Sequence, residues 1–456
     1  MKKAIYTITL LAIFGLSNIT NAQPIAGGRA FTLAVCDINT AWAWGYNANG
    51  QIGNGTKTDS NVPVTVNSLT GITDVACGDR HSLALKNNGI IWAWGDNGNG
   101  ALGNGSNTSS IVPVLVSSLT DITAIAGGRY HSIALRNDST VWAWGFNGEG
   151  ALGNGTYNNS NVPVPITSLT GIIAIAAGTN FSLALKKDGT VWAWGYNKDG
   201  ELGNGTITKS NFPIPITTLS GISAISCGYF HALALKNDGT VLTWGFNSSG
   251  QLGNGNYTNS NVPVAITSIA GIKNITGGRS HSLALKNDGT VWAWGSNGSG
   301  QLGDGTGISS NLPVQVSFLT DISAIAAGEQ HSLARKNDGT AWAWGSNLNG
   351  ELGIGTNTNS KVPAQVGGLC PVLSINEIAE QVSVSVFPNP SNGQFTLTLS
   401  REKGTVEIYN MLGTKVYHSD IKNQKSVIDL SDRPKGIYFV RYCAEHKMRT
   451  EKIVIQ

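Results

Sequence analysis

Five of the chain's seven histidines, His81, His131, His231, His281 and His331, are separated by multiples of fifty residues. Imidazole at a repeated position could ligate a metal or move protons near neutral pH. Phe31 and Phe181 hold the same position in two further units, however. A metal ring tolerates phenylalanine at its ligand positions far less readily than a packing site does, so these imidazoles read as structural hydrogen-bonding groups. His418 and His446 stand alone near the C-terminus.

The carboxylates do not pair. Asp138, Asp188, Asp238, Asp288 and Asp338 fall in Asp-Gly or Asp-Ser turn sequences, where Asp bonds its own backbone. Glu149, Glu201 and Glu351 lie in glycine-rich stretches of different units. Gly298-Ser299-Gly300 imitates part of a nucleophile elbow, but no helix-forming segment follows it. The surrounding run from Gly295 to Thr306, GSNGSGQLGDGT, lacks the Lys-Ser or Lys-Thr of a phosphate loop. It also lacks the spaced acids of a calcium loop, because Asp304 is its one carboxylate. No catalytic residue, metal ligand or cofactor is expected.

The elements that carry these residues come from an unbroken repeat. WAWG recurs at 42, 92, 142, 192, 292 and 342, with LTWG at 242, and all 13 tryptophans belong to it. The glycines of the Gly28, Gly78, Gly128, Gly178, Gly228, Gly278 and Gly328 series hold in every unit, as does the asparagine two residues after each WAWG. Within residues 171–219, GIIAIAA, SLALK, TVWAWG and NFPIPITTL read as four short strands separated by turns. Four strands per unit in seven units is the pattern of an all-β, seven-bladed β-propeller. Alternation places both tryptophans of WAWG on one strand face and the small alanine on the other, so that neighbouring blades can pack closely. The first unit opens at PIAGG and the last ends at KVPAQVGGL. The last segment is expected to complete the first blade and so close the ring with both termini.

Composition agrees with many tight turns: 58 glycines among 456 residues, and only 12% charged residues. From residue 23 to 370 there are 17 Lys and Arg against 18 Asp and Glu. Nucleic-acid binding, which needs a basic face, is not expected.

The unit GxxHSLALKNDGTVWAWGxNxxGQLGxGT resembles the regulator of chromosome condensation repeat over about residues 24–369. That family forms seven-bladed propellers. Its range includes a guanine-nucleotide exchange factor that docks on chromatin and a secreted bacterial protein, β-lactamase inhibitor protein II, that binds a protein with one propeller face. The regular period leaves no room for an inserted nucleotide-displacing wedge, which disfavours the exchange role.

At each end the pattern changes. MKKAIYTITLLAIFGLSNITNAQ has two lysines, an apolar run from Ala4 to Leu16 and a small residue at Ala22. It reads as a signal peptide over 1–22, too short in its apolar run for a membrane span. From about Pro371, after a linker over 371–382, the tail carries PNPSNGQF, LSDRPKGIYFVRY and KIVIQ. Its alternating strands predict a small β-sandwich, and the motifs resemble the C-terminal sorting domain of type IX secretion cargo. That resemblance implies engagement of the type IX machinery through residues 371–456, delivery by way of the periplasm, and secretion or display on the outer cell surface. Five cysteines cannot form a complete disulfide framework. Cys77 and Cys227 read as small buried residues, while Cys36 and Cys370, at the two ends of the repeats, leave a disulfide or two free thiols open.

If the constant residues build the frame, the variable ones carry the specific function. The turn after the first strand and the crossing after the third emerge at the same end of the propeller. They present Arg29, Arg80, Arg129, Tyr130, Tyr229, Phe230 and Arg279 from the turns, and Tyr46, Phe146, Tyr196 and Phe246 from the crossings. Arginine and aromatic side chains are enriched where proteins bind one another. The expected activity is non-catalytic binding, of a protein first, with an extracellular polysaccharide stacking on Tyr46, Tyr196 or Tyr229 as the alternative.

Overall fold

A computed structural model of the protein describes residues 24–36, 39–370, 384–399, 404–411, 413–444 and 447–456. The expected leader over 1–22 and the linker over 371–382 lie outside the described residues. The chain divides into two compact units, one up to Leu369 and one from Cys370.

Every regular element of the first unit is a strand. The fourth blade shows the plan: Ile172–Ala177, Phe181–Lys186, Val191–Gly195 and Ser210–Pro215 follow one another as an antiparallel sheet. Register runs Phe181 to Gly195 and Trp192 to Pro215. The Asp188 carboxylate accepts bonds from the Thr190 N–H and hydroxyl, which closes the hairpin between the second and third strands. Seven four-stranded sheets of this kind, each made of consecutive strands, form the ring. The fold is a seven-bladed propeller.

Packing between blades follows the Trp-Ala-Trp alternation. Trp194 and Trp192 of the fourth blade lie against Ile133, Leu135 and Ala143 of the third, whereas Ala193 faces Ala232, Ala234 and Trp244 of the fifth. The second tryptophan of each motif is fully buried. Its indole N–H donates to a carbonyl of the preceding blade, as Trp194 does to Ala151 at 2.8 Å. A large apolar side chain thus enters the interface with its polar atom satisfied.

Closure differs from the expectation that the termini share a blade. The first blade is built wholly from the start of the repeats, Ile25–Gly27, Phe31–Val35, Thr40–Gly45 and Ser60–Thr70, and the seventh wholly from Ile322–Gln365. The sequence unit already coincides with a blade, so no strand needs to be exchanged. The seam is instead one more blade interface: Trp44 packs on Leu333, Ala343 and Leu352, and its indole donates to the Glu351 carbonyl at 2.9 Å. Of the five cysteines, Cys77, Cys227 and Cys443 are free, while Cys36 and Cys370 are disulfide-bonded.

The constant polar residues form the frame. Asn297 is fully buried beneath the glycine-rich crossing, accepts from the Leu302 N–H, and donates to Asp304, Thr306 and Ile308. Gly300 and Gly303 in that run have φ of +88° and +67°, and a Cβ would meet Lys361 Cα or Trp344 Nε1 at 2.6 Å. The crossing is therefore shaped by its backbone, as its failure to match ligand loops suggests.

The second unit packs a three-stranded sheet, Val384–Phe387, Gln394–Leu399 and Lys425–Asp429, with a four-stranded sheet. The latter comprises Lys415–Ile421, Gly404–Asn410, Gly436–Ala444 and Lys447–Ile455. Phe395, Leu397, Val406, Ile408, Val440, Tyr442 and Ile453 fill the core between them.

Candidate functional site

The histidine series belongs to the frame. His231 Nε2 lies 2.8 Å from Ser282 Oγ of the next blade, and Ser282 donates to the Gln251 carbonyl at 2.9 Å. Trp294 donates to the same carbonyl, filling both of its acceptor sites. Equivalent links join His81 to Ser132, His131 to Ser182, His281 to Ser332 and His331 to Thr32. Because the serine donates onward, each histidine must donate from Nε2. Burial pushes these imidazoles down to about 3, or about 4 for His81, so they are neutral. At Phe181, which offers no donor, the next blade carries buried Ala232 in place of the hydroxyl. The constant glycine lies under the ring: a Cβ on Gly128 would come within 2.1 Å of His131.

This frame fixes the turns that follow the innermost strands. Around the axis, Arg129 N–H donates to Thr179 O, Thr179 to Tyr229 O, Tyr229 to Gly278 O, Arg279 to Glu329 O and Glu329 to Gly28 O. The first variable residues, Arg29, Asp79, Arg129, Thr179, Tyr229, Arg279 and Glu329, thereby form one inner ring. No two neighbours in this ring are of the same residue type. With Phe230 they line a cavity of about 150 Å³ at the mouth of the central channel. Below it a cavity of about 320 Å³ runs between the innermost strands.

Cys77 and Cys227, expected as small buried residues, line this lower channel half-buried and pack against the neighbouring blade clusters. Their small size suits a wall where seven strands converge. Burial drives both thiols well above their ordinary value, so they stay protonated. Among the described residues, no group of His, Cys, Asp and Glu is arranged to hold a metal ion.

Two carboxylates in the ring were not among the expected site residues. Arg129 pairs with Asp79 at 3.3 Å, and Arg29 pairs with Glu329 at 3.1 Å. Arg279 also pairs with Glu329. Burial raises the Asp79 carboxyl above its usual range, opposed by the Tyr229 hydroxyl and the Arg129 guanidinium. The Tyr229 phenol is held well above its own by burial and then by the charges of Asp79 and Glu329. The signal was in the sequence: Asp79 and Glu329 share the repeat position of Arg29 and Arg129 and sit in adjacent units.

The second variable residues and those after WAWG stand outside this ring. Backbone bonds such as Phe246 N–H to Phe230 O at 2.8 Å bring the two sets together at one end of the propeller. Tyr130 meets Phe146 edge-on at 6.5 Å between ring centroids, and Arg129 lies 4.8 Å from the Tyr130 centroid. Tyr229, Phe230 and Phe246 form a second cluster, at 6.4 and 6.3 Å. Tyr46 and Tyr196 are half-buried in separate blades, without an aromatic neighbour among the described residues, and Arg80 is half-buried in the second.

Fold and repeat together define a class, the tryptophan-rich seven-bladed propellers of fifty-residue units, followed here by a small sandwich. Residues 158–386 match the RCC1-like domain, and residues 39–85 and 88–135 match the regulator of chromosome condensation (RCC1) repeat. The chain belongs to the RCC1-like propeller family. Residues 385–456 match the secretion system C-terminal sorting domain, which marks the chain for type IX export to the cell surface or the medium.

Solved structures with the same fold include human WBSCR16, at 23% identity and TM-score 0.65 over 71% of this chain and 93% of that one. Yeast RCC1 (Prp20), solved with Kap60, is similar at 22% identity and TM-score 0.69 over 81% and 92%. Prp20p from Saccharomyces cerevisiae, described with its binding properties to Gsp1p and histones, gives 24% and 0.66 over 77% and 89%. No curated protein matches the chain. No helix of the described residues is long and apolar enough to cross a membrane.

Proposed function

We propose that the protein is a non-catalytic binding propeller, secreted or held at the outer cell surface, that captures a protein partner on the face bearing the GxxH turns. One observation carries this reading: variable arginines and aromatics from different blades converge on one channel mouth over a constant frame. Such side chains supply most of the energy at protein interfaces when packed and partly desolvated. The yeast propeller bound to Kap60 supports the use of this fold as a protein-binding scaffold. The leader over 1–22 and the sorting tail support a partner met outside the cytoplasm.

The test replaces Arg129, Tyr130, Tyr229 and Phe230 together with alanine in the full chain. Secreted proteins and extracellular polysaccharides are then presented to both forms, and bound material is quantified. The expected result is a protein ligand whose affinity falls at least about tenfold in the variant, with the melting temperature little changed. Unchanged protein binding would reject the reading. Binding of polysaccharide alone, lost on replacing Tyr46, Tyr196 or Tyr229, would replace it with a carbohydrate-binding role.

A further inference from the structure

The inner ring holds more positive charge than its own acids neutralise. Three arginines face two carboxylates, Asp79 and Glu329. The acids are sunk in the wall, with side chains only 8% and 9% exposed, while the side chains of Arg29, Arg129 and Arg279 remain 44%, 41% and 48% exposed. Arg29 donates from Nε and Arg279 from Nη1 to Glu329, while Arg129 Nε lies 3.3 Å from Asp79 as an ion pair without a hydrogen bond. A guanidinium carries five N–H donors in a planar fork. The terminal nitrogens of Arg29 and Arg129 bond to no other described residue, so both forks are oriented from below and free above.

The surroundings set what such a pair of forks can receive. The cavity of about 150 Å³ has room for one small group rather than an extended chain. The two aromatic clusters, Tyr130 with Phe146 and Tyr229 with Phe230 and Phe246, flank the mouth. A carboxylate is planar, matches the guanidinium fork with two parallel bonds, and would compensate the excess charge.

We infer that the channel mouth is a receptor for a single carboxylate, presented by an acidic residue on a protein partner, with apolar neighbours of that residue resting on the flanking aromatics. This rests on the protein-binding reading of the same face and names its chemistry. The backbone belt fixes the turns of Arg129 and Arg279, and the bond to Glu329 orients Arg29, before the ligand arrives, so little ordering is required on binding.

The experiment selects peptides from a phage-displayed random dodecamer library on the immobilised full chain, then measures the selected peptides in solution. The expected peptides share one Asp or Glu beside apolar residues, and changing that acid to its amide weakens binding at least about tenfold. Arg29→Gln with Arg129→Gln should weaken them similarly. Asp79→Asn should act in the opposite sense and tighten binding, because it releases Arg129 from its internal partner without removing a cation. Peptides that bind this face, shown by loss on Tyr130→Ala with Phe230→Ala, but carry no shared acid would overturn the carboxylate receptor and leave the protein-binding reading intact. Selection of peptides insensitive to every substitution on this face would overturn both.

Discussion

Glu201 shows how one repeat position can hold a charge at a cost. It is fully buried beneath its crossing, where one carboxylate oxygen accepts the Asp199 N–H at 2.9 Å and the other has no partner. Its sisters include Gln51, Gln251 and Gln301, and Gln251 accepts the equivalent bond from Ser249. Burial raises the Glu201 carboxyl from 4.5 to about 7. Between these values the folded chain holds a proton that the unfolded chain has lost, so stability falls as pH rises through this window and stays lowered above it. Glu201→Gln keeps the backbone bond and removes the charge. Thermal melts should show no gain at pH 4 and, at pH 8, a gain of up to about 3 kcal/mol. Equal shifts at both pH values would contradict a buried ionisable origin.

At the scale of the blade, the histidine-to-hydroxyl link is a unit whose members matter together. Ser282→Ala leaves the His231 N–H buried without its acceptor, which costs about 1–3 kcal/mol. His231→Phe with Ser282→Ala reproduces the pairing already present at Phe181 and Ala232, and should recover most of that loss in denaturant titrations. A double variant no more stable than the single one would show that the link is not what sets the cost. The same imidazoles make the blades acid-sensitive. Unfolded histidine gains a proton below about 6.5, whereas the folded groups resist until about 3 to 4. Stability is therefore lost as pH falls through that interval. Strands and turns were legible because the unit repeats seven times, the Trp-Ala-Trp packing because that motif recurs in six units, and Phe31 and Phe181 already marked the histidines as frame. The ion pairs of Asp79 and Glu329 were legible only as far as the repeat position that these acids share with Arg29 and Arg129. They depend on how deep each carboxylate sits and which turn lies beside it around the axis, and the repeat, by averaging its units, hides both.

For the whole ring, the misreading of closure identifies what must hold the seam. With no strand exchanged between first and last blades, the junction relies on the same kinds of contact as other interfaces, Trp44 to the Glu351 carbonyl and Thr32 with His331, plus two features of its own. One is Arg335, buried where five other units carry leucine and the first carries Val35, which donates to the Val35 carbonyl across the seam. The other is covalent: with the remaining three cysteines free, the bonded Cys36 and Cys370 are left as each other's partner. Such a bond closes a loop of roughly 330 residues, and on the chain-entropy view a loop that long stabilises by roughly 6 kcal/mol. A propeller without a shared blade should therefore open first between its first and seventh blades when that bond is cut. Cys36→Ser with Cys370→Ser should lower the melting temperature. In hydrogen exchange, amides at the seam, Thr32 to Val35 and Leu333 to Arg335, should lose protection before those between the third and fourth blades. Uniform loss around the ring would mean that closure is carried equally by all seven interfaces, with the disulfide adding nothing local.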